Sequence, residues 1–171
     1  MSLNQSPPAP GLYRVDLSAS SIKVAAKHMF GLGTVKGTFG LDSGEITVAD
    51  PVAQSTVRAT ADAGSFATGN AKRDEQVHSS KFLNASVHPK ITFASAALVE
   101  TNGVWALRGD LTAAGTSVPF ELQIDGLDAD DAGFTAKASG RVDRYAHGIS
   151  KMKGMAGRYL DLEITARATR Q

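Results

Sequence analysis

Apolar and polar residues alternate along this chain in one short segment after another. In the first such segment Ile22, Val24 and Ala26 fall on one side, and His28 ends the same row. A period of two is typical of a strand with one buried face. Further segments of this kind lie at residues 35–41, 45–48, 54–63, 91–99, 105–111, 118–124, 134–142 and 160–166. The chain is therefore predicted to be all-β, with about eight strands.

The segments between these strands are mostly short and rich in turn-forming residues. Asn102-Gly103 is a strong hairpin signal because both residue types accept positive φ, and a second hairpin is predicted near Ala114-Gly115. Polar turns are predicted at residues 42–44 and 128–133. The one helix is predicted at residues 71–81. Repeated helical crossovers are absent from the sequence, which leaves a two-sheet sandwich or a closed barrel.

Many positions on the presumed inner faces are small, and aromatic residues make up only 6% of the chain. A sandwich core would normally be filled by larger side chains, whereas an eight-stranded barrel can hold one small ligand. The composition therefore favours a barrel with an internal cavity. The small positions predicted to face inward are Ala26, Gly37, Ala59, Ala61, Ala97, Ala136, Ala138 and Gly140.

Length and charge narrow the organisation and the partners. A chain of 171 residues fits one domain, predicted at 12–171, after a proline-containing segment at 1–11 that is predicted to be disordered. The net charge of +1 gives no general attraction to nucleic acid. No apolar run is long enough to span a membrane, and no signal peptide is recognisable. A cytoplasmic protein is expected, or a periplasmic or secreted one if a signal has been removed.

The sequence offers no recognisable catalytic or metal-binding motif. Its four histidines form no zinc-binding pair, and it contains no cysteine, no nucleophile elbow and no phosphate-binding loop. We therefore predict a protein that is not an enzyme and that carries no cofactor and no metal.

Two segments carry candidate binding residues. In residues 65–82, a helix over a barrel mouth would place Arg73 near the opening and Phe82 towards the interior; alternatively, Arg73 and Asp74 only cap and pair within the loop. Residues 141–158 carry five basic side chains against Asp143 alone. They are interpreted as a mobile basic rim for an anionic head group, or as a solvated loop.

Several short motifs, in order and spacing, resemble the YceI-like family, the polyisoprenoid-binding lipocalin-like proteins. The resemblance covers residues 13–168. Its marks are Tyr13-Arg14-Val15-Asp16, Lys27-His28-Met29, Thr68-Gly69, Arg73-Asp74, Ser80-Lys81-Phe82-Leu83-Asn84, His88-Pro89-Lys90, Gly109-Asp110-Leu111-Thr112 and Arg144 with Gly148-Ile149. The resemblance implies an eight-stranded antiparallel lipocalin-like barrel with a short helix near one end. It also implies a polyisoprenoid ligand with a quinone-like or phosphate head, and no catalysis.

The resulting hypothesis is a carrier that stores or transports a polyisoprenoid lipid inside the barrel. Two alternatives stay open: a module for protein–protein contact, and an enzyme that acts on such a lipid. A homodimer paired through an edge strand is also left open. The predicted ligand-binding residues are Val24, His28, Phe39, Phe66, Arg73, Asp74, Phe82, Phe93, Trp105, Leu107, Phe120, Arg144 and Ile149.

Overall fold

A computed structural model describes residues 7–171 of the chain, which form one antiparallel sheet and one short α-helix. The helix, α1, spans Ala71–His78. The strands are β1 (Gly11–Val15), β2 (Ser21–His28), β3 (Gly33–Val48), β4 (Thr56–Ala67), β5 (Lys90–Thr101), β6 (Val104–Ala113), β7 (Thr116–Ala129), β8 (Gly133–Asp143) and β9 (Ala156–Arg170).

The sheet closes on itself into a barrel. The strand order is β1-β3-β2-β9-β8-β7-β6-β5-β4, and the additional pairing of β3 with β4 completes the ring. Strands β1 and β2 both pair with β3 and β9, at different heights, so they occupy one position in the ring. Eight strand positions result, and the predicted eight-stranded antiparallel barrel is confirmed. Each described strand has a neighbour on both sides, so the described residues offer no edge strand for pairing two barrels. The homodimer stays a prediction.

Both predicted hairpins are present. Asn102 and Gly103 have φ values of 52° and 79°, and Ala114 and Gly115 have φ values of 50° and 78°. Positive φ at both central positions gives the backbone twist that matches two antiparallel strands.

The turn predicted at residues 42–44 is wrong, because β3 runs through it as one strand of 16 residues. The pairing with β4 shifts there from Leu41–Ala61 to Ser43–Thr60, which is a β-bulge. A second bulge, between Ser95 and Ala97, changes which residues of β5 face inward. Beyond it, Leu98 pairs with the inward-facing Leu107, so the prediction that Ala97 faces inward is also wrong.

Helix α1 begins where it was predicted and ends three residues earlier, at His78. The Asn70 side chain accepts a hydrogen bond from the backbone N–H of Arg73 and caps the first turn. At the other end, Ser79 leaves the helical conformation and the chain continues in tight turns, in which the N–H of Leu83 donates to the carbonyl of Val77. No helix in the described part of the chain is long and apolar enough to cross a membrane.

The two ends of the barrel are built differently. We call one the helix end; it contains α1 and the connections at residues 29–32, 68–89, 114–115 and 144–155. The other, the turn end, contains β1 and the connections at residues 49–55, 102–103 and 130–132. A buried cluster of Tyr13, Val48, Phe134 and Ala168 fills the turn end. Residues 1–6 of the segment predicted to be disordered lie outside the described residues, and the domain boundary stays a prediction.

Candidate ligand-binding cavity

The interior of the barrel contains a cavity with a volume of about 230 Å³. Its wall is almost entirely apolar, because each strand turns every second side chain inward. The larger apolar residues of the wall include Ile22, Phe39, Leu41, Ile46, Val57, Ile91, Phe93, Leu107, Leu111, Phe120, Leu122, Ile124, Leu160, Leu162 and Ile164 from the strands, with Leu83 and Ile149 from the connections.

Small side chains create part of the space, in two different ways. Ala59, Ala61, Ala136 and Ala138 line the cavity directly, as their inward prediction requires. Gly140 instead lies against an aromatic ring: a Cβ atom there would come 2.7 Å from Cζ of Phe120. At that position, and likewise where Gly37 lies against Phe66, the missing side chain accommodates a ring rather than adding to the cavity.

Arg144 lines the cavity at the helix end and is 4% exposed. Its guanidinium donates to three backbone carbonyls, those of Gly157, Ile149 and Ala156, at 2.7, 2.9 and 2.9 Å. It also lies 5.5 Å from the ring centre of Phe82. Burial lowers the pKa of Arg144. An arginine stays charged in proteins even so, and this one therefore brings a positive charge to the cavity wall.

His147 lies one turn further along the chain, in the short 3₁₀ segment Arg144–His147, and is also 4% exposed. Its Nδ1 lies 2.9 Å from the carbonyl oxygen of Thr116, and the residue lines the cavity. Among the described residues no carboxylate forms an ion pair with Arg144. Two buried nitrogen-bearing side chains thus line the helix end of a mostly apolar chamber, and Arg144 has no acidic partner among the described residues.

Six of the thirteen predicted binding residues line the cavity. Arg144 and Ile149 belong to the connection between β8 and β9, and the other four belong to strands. The six are Phe39, Phe93, Leu107, Phe120, Arg144 and Ile149.

Three predicted residues share the inner faces of strands but lie outside the lining. Val24 is buried beside Leu162 and Gly37 on the face that Ile22 begins. Trp105 pairs with Ile124 near the turn end. The ring of His28 lies over Gly33: a Cβ atom on Gly33 would come 2.2 Å from Nε2 of His28.

The four predicted residues in and next to the connection that contains α1 divide into two pairs. Phe66 and Phe82 belong to the apolar cluster that covers the helix end of the cavity, where Phe66 meets Phe39 edge to face at 5.0 Å. Arg73 and Asp74 lie outside the lining. Asp74 accepts hydrogen bonds from the backbone N–H and the hydroxyl of Thr68. These bonds agree with the alternative in which Asp74 acts only within the loop.

Two arginines of the basic segment at residues 141–158 form ion pairs at the surface. Arg158 forms a two-bond pair with Asp143, and Arg141 pairs with Asp161. The sequence-based count of charges in residues 141–158 did not include Asp161, because it lies further along the chain. Asp161 is on β9, where it pairs with Arg141 on the neighbouring strand. Lys151 and Lys153 are the exposed lysines of this segment.

Sequence reasoning missed His147 and Leu83 as lining residues. Both lie in irregular connections, where alternation gives no signal. Alternation puts the missed strand residues, such as Leu160, Leu162 and Ile164, on one face of their strand, but it does not show that this face lines a cavity. No group of acidic residues and histidines in the described residues could hold a metal ion.

Comparisons with known proteins agree with this architecture. The model of the YceI-like domain matches residues 13–168. A UPF0312 protein of Vibrio cholerae (strain M66-2) is 30% identical over 153 residues, which cover 85% of this chain and 79% of that protein. Protein YceI of Shigella flexneri is 27% identical over 169 residues, covering 93% of this chain and 87% of that protein.

Solved structures share the fold at lower sequence identity. BcnA of Burkholderia cenocepacia superposes with a TM-score of 0.80 at 21% identity, over 89% of this chain and 98% of BcnA. A polyisoprenoid-binding domain from Saccharophagus degradans superposes with a TM-score of 0.69 at 10% identity, over 93% of this chain and 98% of that domain. The match of the family model to nearly the whole chain identifies this protein as a member of the YceI-like family.

Proposed function

We propose that this barrel binds a polyisoprenoid-type lipid in its interior, stores or transports it, and does no chemistry on it. The observation that carries the proposal is the apolar cavity with Arg144 and His147 at one end. The name of the polyisoprenoid-binding domain from Saccharophagus degradans, which shares the fold, supports the same class of ligand.

The apolar wall suits a branched hydrocarbon chain. Burial of apolar ligand surface contributes about 0.8 kcal/mol per CH₂ group, so one isoprene unit contributes roughly 3 kcal/mol before the costs of binding. Immobilising a ligand costs on the order of 4–15 kcal/mol. Several units in contact with the wall are therefore needed, which favours a chain over a compact apolar molecule.

The polar end suits a head group that accepts hydrogen bonds. Arg144 uses three of its five N–H groups on backbone carbonyls, and its charge is not neutralised by a carboxylate among the described residues. A quinone carbonyl or a phosphate oxygen would accept hydrogen bonds from the remaining N–H groups of Arg144, beside His147, whose Nδ1 already lies within hydrogen-bond distance of the Thr116 carbonyl. Both head groups share this acceptor chemistry, and the ligand's mass distinguishes them.

The alternatives find less support. A contact module would have a filled interior, whereas this barrel has a cavity. An enzyme would need a cluster of reactive groups at the ligand, whereas Arg144 and His147, which line the helix end of the cavity, each have a hydrogen-bond partner in a backbone carbonyl. The cytoplasmic location stays a prediction, which cell fractionation of the expressed gene product would test.

The test is native mass spectrometry of the purified protein, followed by solvent extraction and lipid mass spectrometry. We expect one isoprenoid lipid per chain, either co-purified or taken up when a polyprenyl quinone or polyprenyl phosphate is added. A protein that carries neither and takes up neither would contradict the proposal.

A matched pair of variants places the ligand. Ala138 lines the cavity, and Ala138→Phe would fill it. Ala94 lies on the exposed outer face of β5, so Ala94→Phe adds the same ring outside the barrel. We expect lipid uptake to be lost in the first variant and kept in the second; equal uptake by two folded variants would place the lipid elsewhere.

A further inference from the structure

Large apolar side chains project into solvent from two neighbouring loops of the helix end. Phe30 and Leu32 are 78% and 87% exposed, and Met29, Met152 and Met155 are 42–45% exposed. We call these five residues the apolar tip. An exposed apolar cluster on a protein of this size is typical of an interaction surface.

The apolar tip is one surface rather than two separate loops. The backbone N–H of Met29 donates to the carbonyl of Met155 at 2.8 Å, and that of Phe30 donates to the carbonyl of Gly154 at 2.6 Å. The Phe30 ring lies so close to Gly154 that a Cβ atom there would be 2.5 Å from its Cε1 atom. The hairpin between β2 and β3 and the connection from β8 to β9 therefore present their side chains together.

The backbone of the apolar tip is held in an unfavourable conformation. Met29, Phe30 and Met152 have φ values of 49°, 56° and 56°, in the left-handed region that asparagine and glycine occupy more readily. Keeping large apolar residues at such positions costs stability. Because the side chains are exposed, little apolar burial compensates for this cost. This combination favours a function for the side chains outside the folded chain itself.

The two loops of the apolar tip and their flanks carry only positive charges. Lys27, Lys151 and Lys153 flank it, and neither residues 17–41 nor residues 144–160 contain an aspartate or glutamate. Helix α1 touches the tip through Gln76, which donates to the sulfur of Met152. The charges of Lys72 and Arg73 in that helix are balanced by those of Asp74 and Glu75, so the helix adds no net charge from these four residues.

We infer that the apolar tip docks the barrel onto a membrane that contains anionic lipid. Apolar side chains that enter the boundary between head groups and acyl chains, together with lysines that meet anionic head groups, are the two contributions of an interfacial anchor. The placement also suits the barrel's cavity, because the connection that carries Met152 and Met155 carries the lining residue Ile149. The inference goes beyond the proposed ligand and does not rest on it.

The experiment is flotation of the purified full chain with vesicles of phosphatidylcholine alone, and with vesicles in which part of it is replaced by phosphatidylglycerol. We expect binding to the mixed vesicles that weakens with added salt, and much less binding to phosphatidylcholine. The double variant Phe30→Ser/Leu32→Ser should lose about tenfold or more in vesicle affinity. Lys151→Glu/Lys153→Glu should lose at least about fivefold for each lysine, because each change removes a positive charge and adds a negative one.

Control variants carry a single change of each kind away from the tip. Leu17 is 45% exposed near the turn end, so Leu17→Ser removes a comparable side chain, and Lys137→Glu reverses a lysine on β8. Both should bind vesicles as the unmodified protein does. For every variant, light scattering without vesicles measures the oligomeric state, and mass spectrometry measures lipid uptake.

Three outcomes would overturn the inference. They are no flotation with either vesicle, equal losses in the control and tip variants, and a dimer in solution that Phe30→Ser/Leu32→Ser converts to a monomer. The last result would assign the apolar tip to self-association. Lipid uptake that persists in a variant unable to float separates membrane docking from the proposed lipid binding.

Discussion

The turn end and the helix end of the barrel solve the same problem, closing a ring of strands, in opposite ways. At the turn end, Tyr13 and Phe134 are 2% and 3% exposed and meet edge to face at 5.0 Å. At the helix end, longer connections are held by Arg144, and Phe30 projects into solvent.

Positive-φ residues sharpen the contrast between the two ends. At the turn end, Asn102 and Gly103 occupy these positions, and both residue types tolerate them. At the helix end, glycines and Asn84 occupy several of these positions, but Met29, Phe30 and Met152 occupy others. The comparison indicates that the turn end is built for stability, whereas the helix end accepts local cost where it presents polar groups inward and apolar groups outward. Four changes test this division.

The largest effect is expected from Phe134→Ala at the turn end. Removing this ring from the cluster with Tyr13, Val48 and Ala168 should lower the free energy of unfolding by about 3–5 kcal/mol. Urea unfolding measures the loss. Vesicle flotation should not change, because the apolar tip lies at the other end. A loss of flotation in the folded variant would show that the ends are not independent.

Arg144→Met tests the helix end. The change leaves the carbonyls of Ile149, Ala156 and Gly157 without their donor, although water can reach part of this loop. We expect a loss of about 2 kcal/mol in the free energy of unfolding. Hydrogen exchange should speed up mainly at residues 148–157. Acceleration spread evenly over all strands would mean that Arg144 supports the whole barrel.

Phe30→Asn should raise stability while it weakens membrane docking. Asparagine tolerates the left-handed conformation, so the free energy of unfolding should rise by about 1 kcal/mol. The reverse exchange at the turn end, Asn102→Phe, should lower it by a similar amount without affecting flotation, since Asn102 has nearly the same φ. Thermal unfolding and flotation of both variants provide the comparison. If Phe30→Asn is less stable, the Phe30 contact with Gly154 outweighs the backbone cost.

The smallest effect concerns Asp130 in the turn between β7 and β8. Hydrogen bonds from Arg167 lower the pKa of Asp130 from 3.8 to about 2. A lowered carboxyl pKa stabilises the folded state above the ordinary pKa, and this contribution is lost as the pH falls towards 2. Asp130→Asn should therefore be slightly less stable than the unmodified protein at pH 7 and equally stable near pH 2. Urea unfolding at the two pH values checks this, and an equal difference at both would exclude the charge as its cause.

The sequence by itself determined in outline every strand except β1, the hairpins at Asn102-Gly103 and Ala114-Gly115, and which side of most strands is apolar. These features are local: side-chain alternation and turn chemistry act over a few residues and do not need the rest of the fold. The motifs that resemble the YceI-like family then indicated which of the two remaining β architectures the strands form.

Only the tertiary structure decided the bulges in β3 and β5, the partners of Arg144, and the joining of two distant loops into the apolar tip. Asp42 to Gly44 have turn-forming composition, yet pairing with β4 keeps them in the strand. Arg144 meets carbonyls up to 13 residues away, and Met29 meets Met155 across the end of the barrel. Such contacts depend on where the closed ring brings separate connections together, and no local pattern of residues encodes that distance.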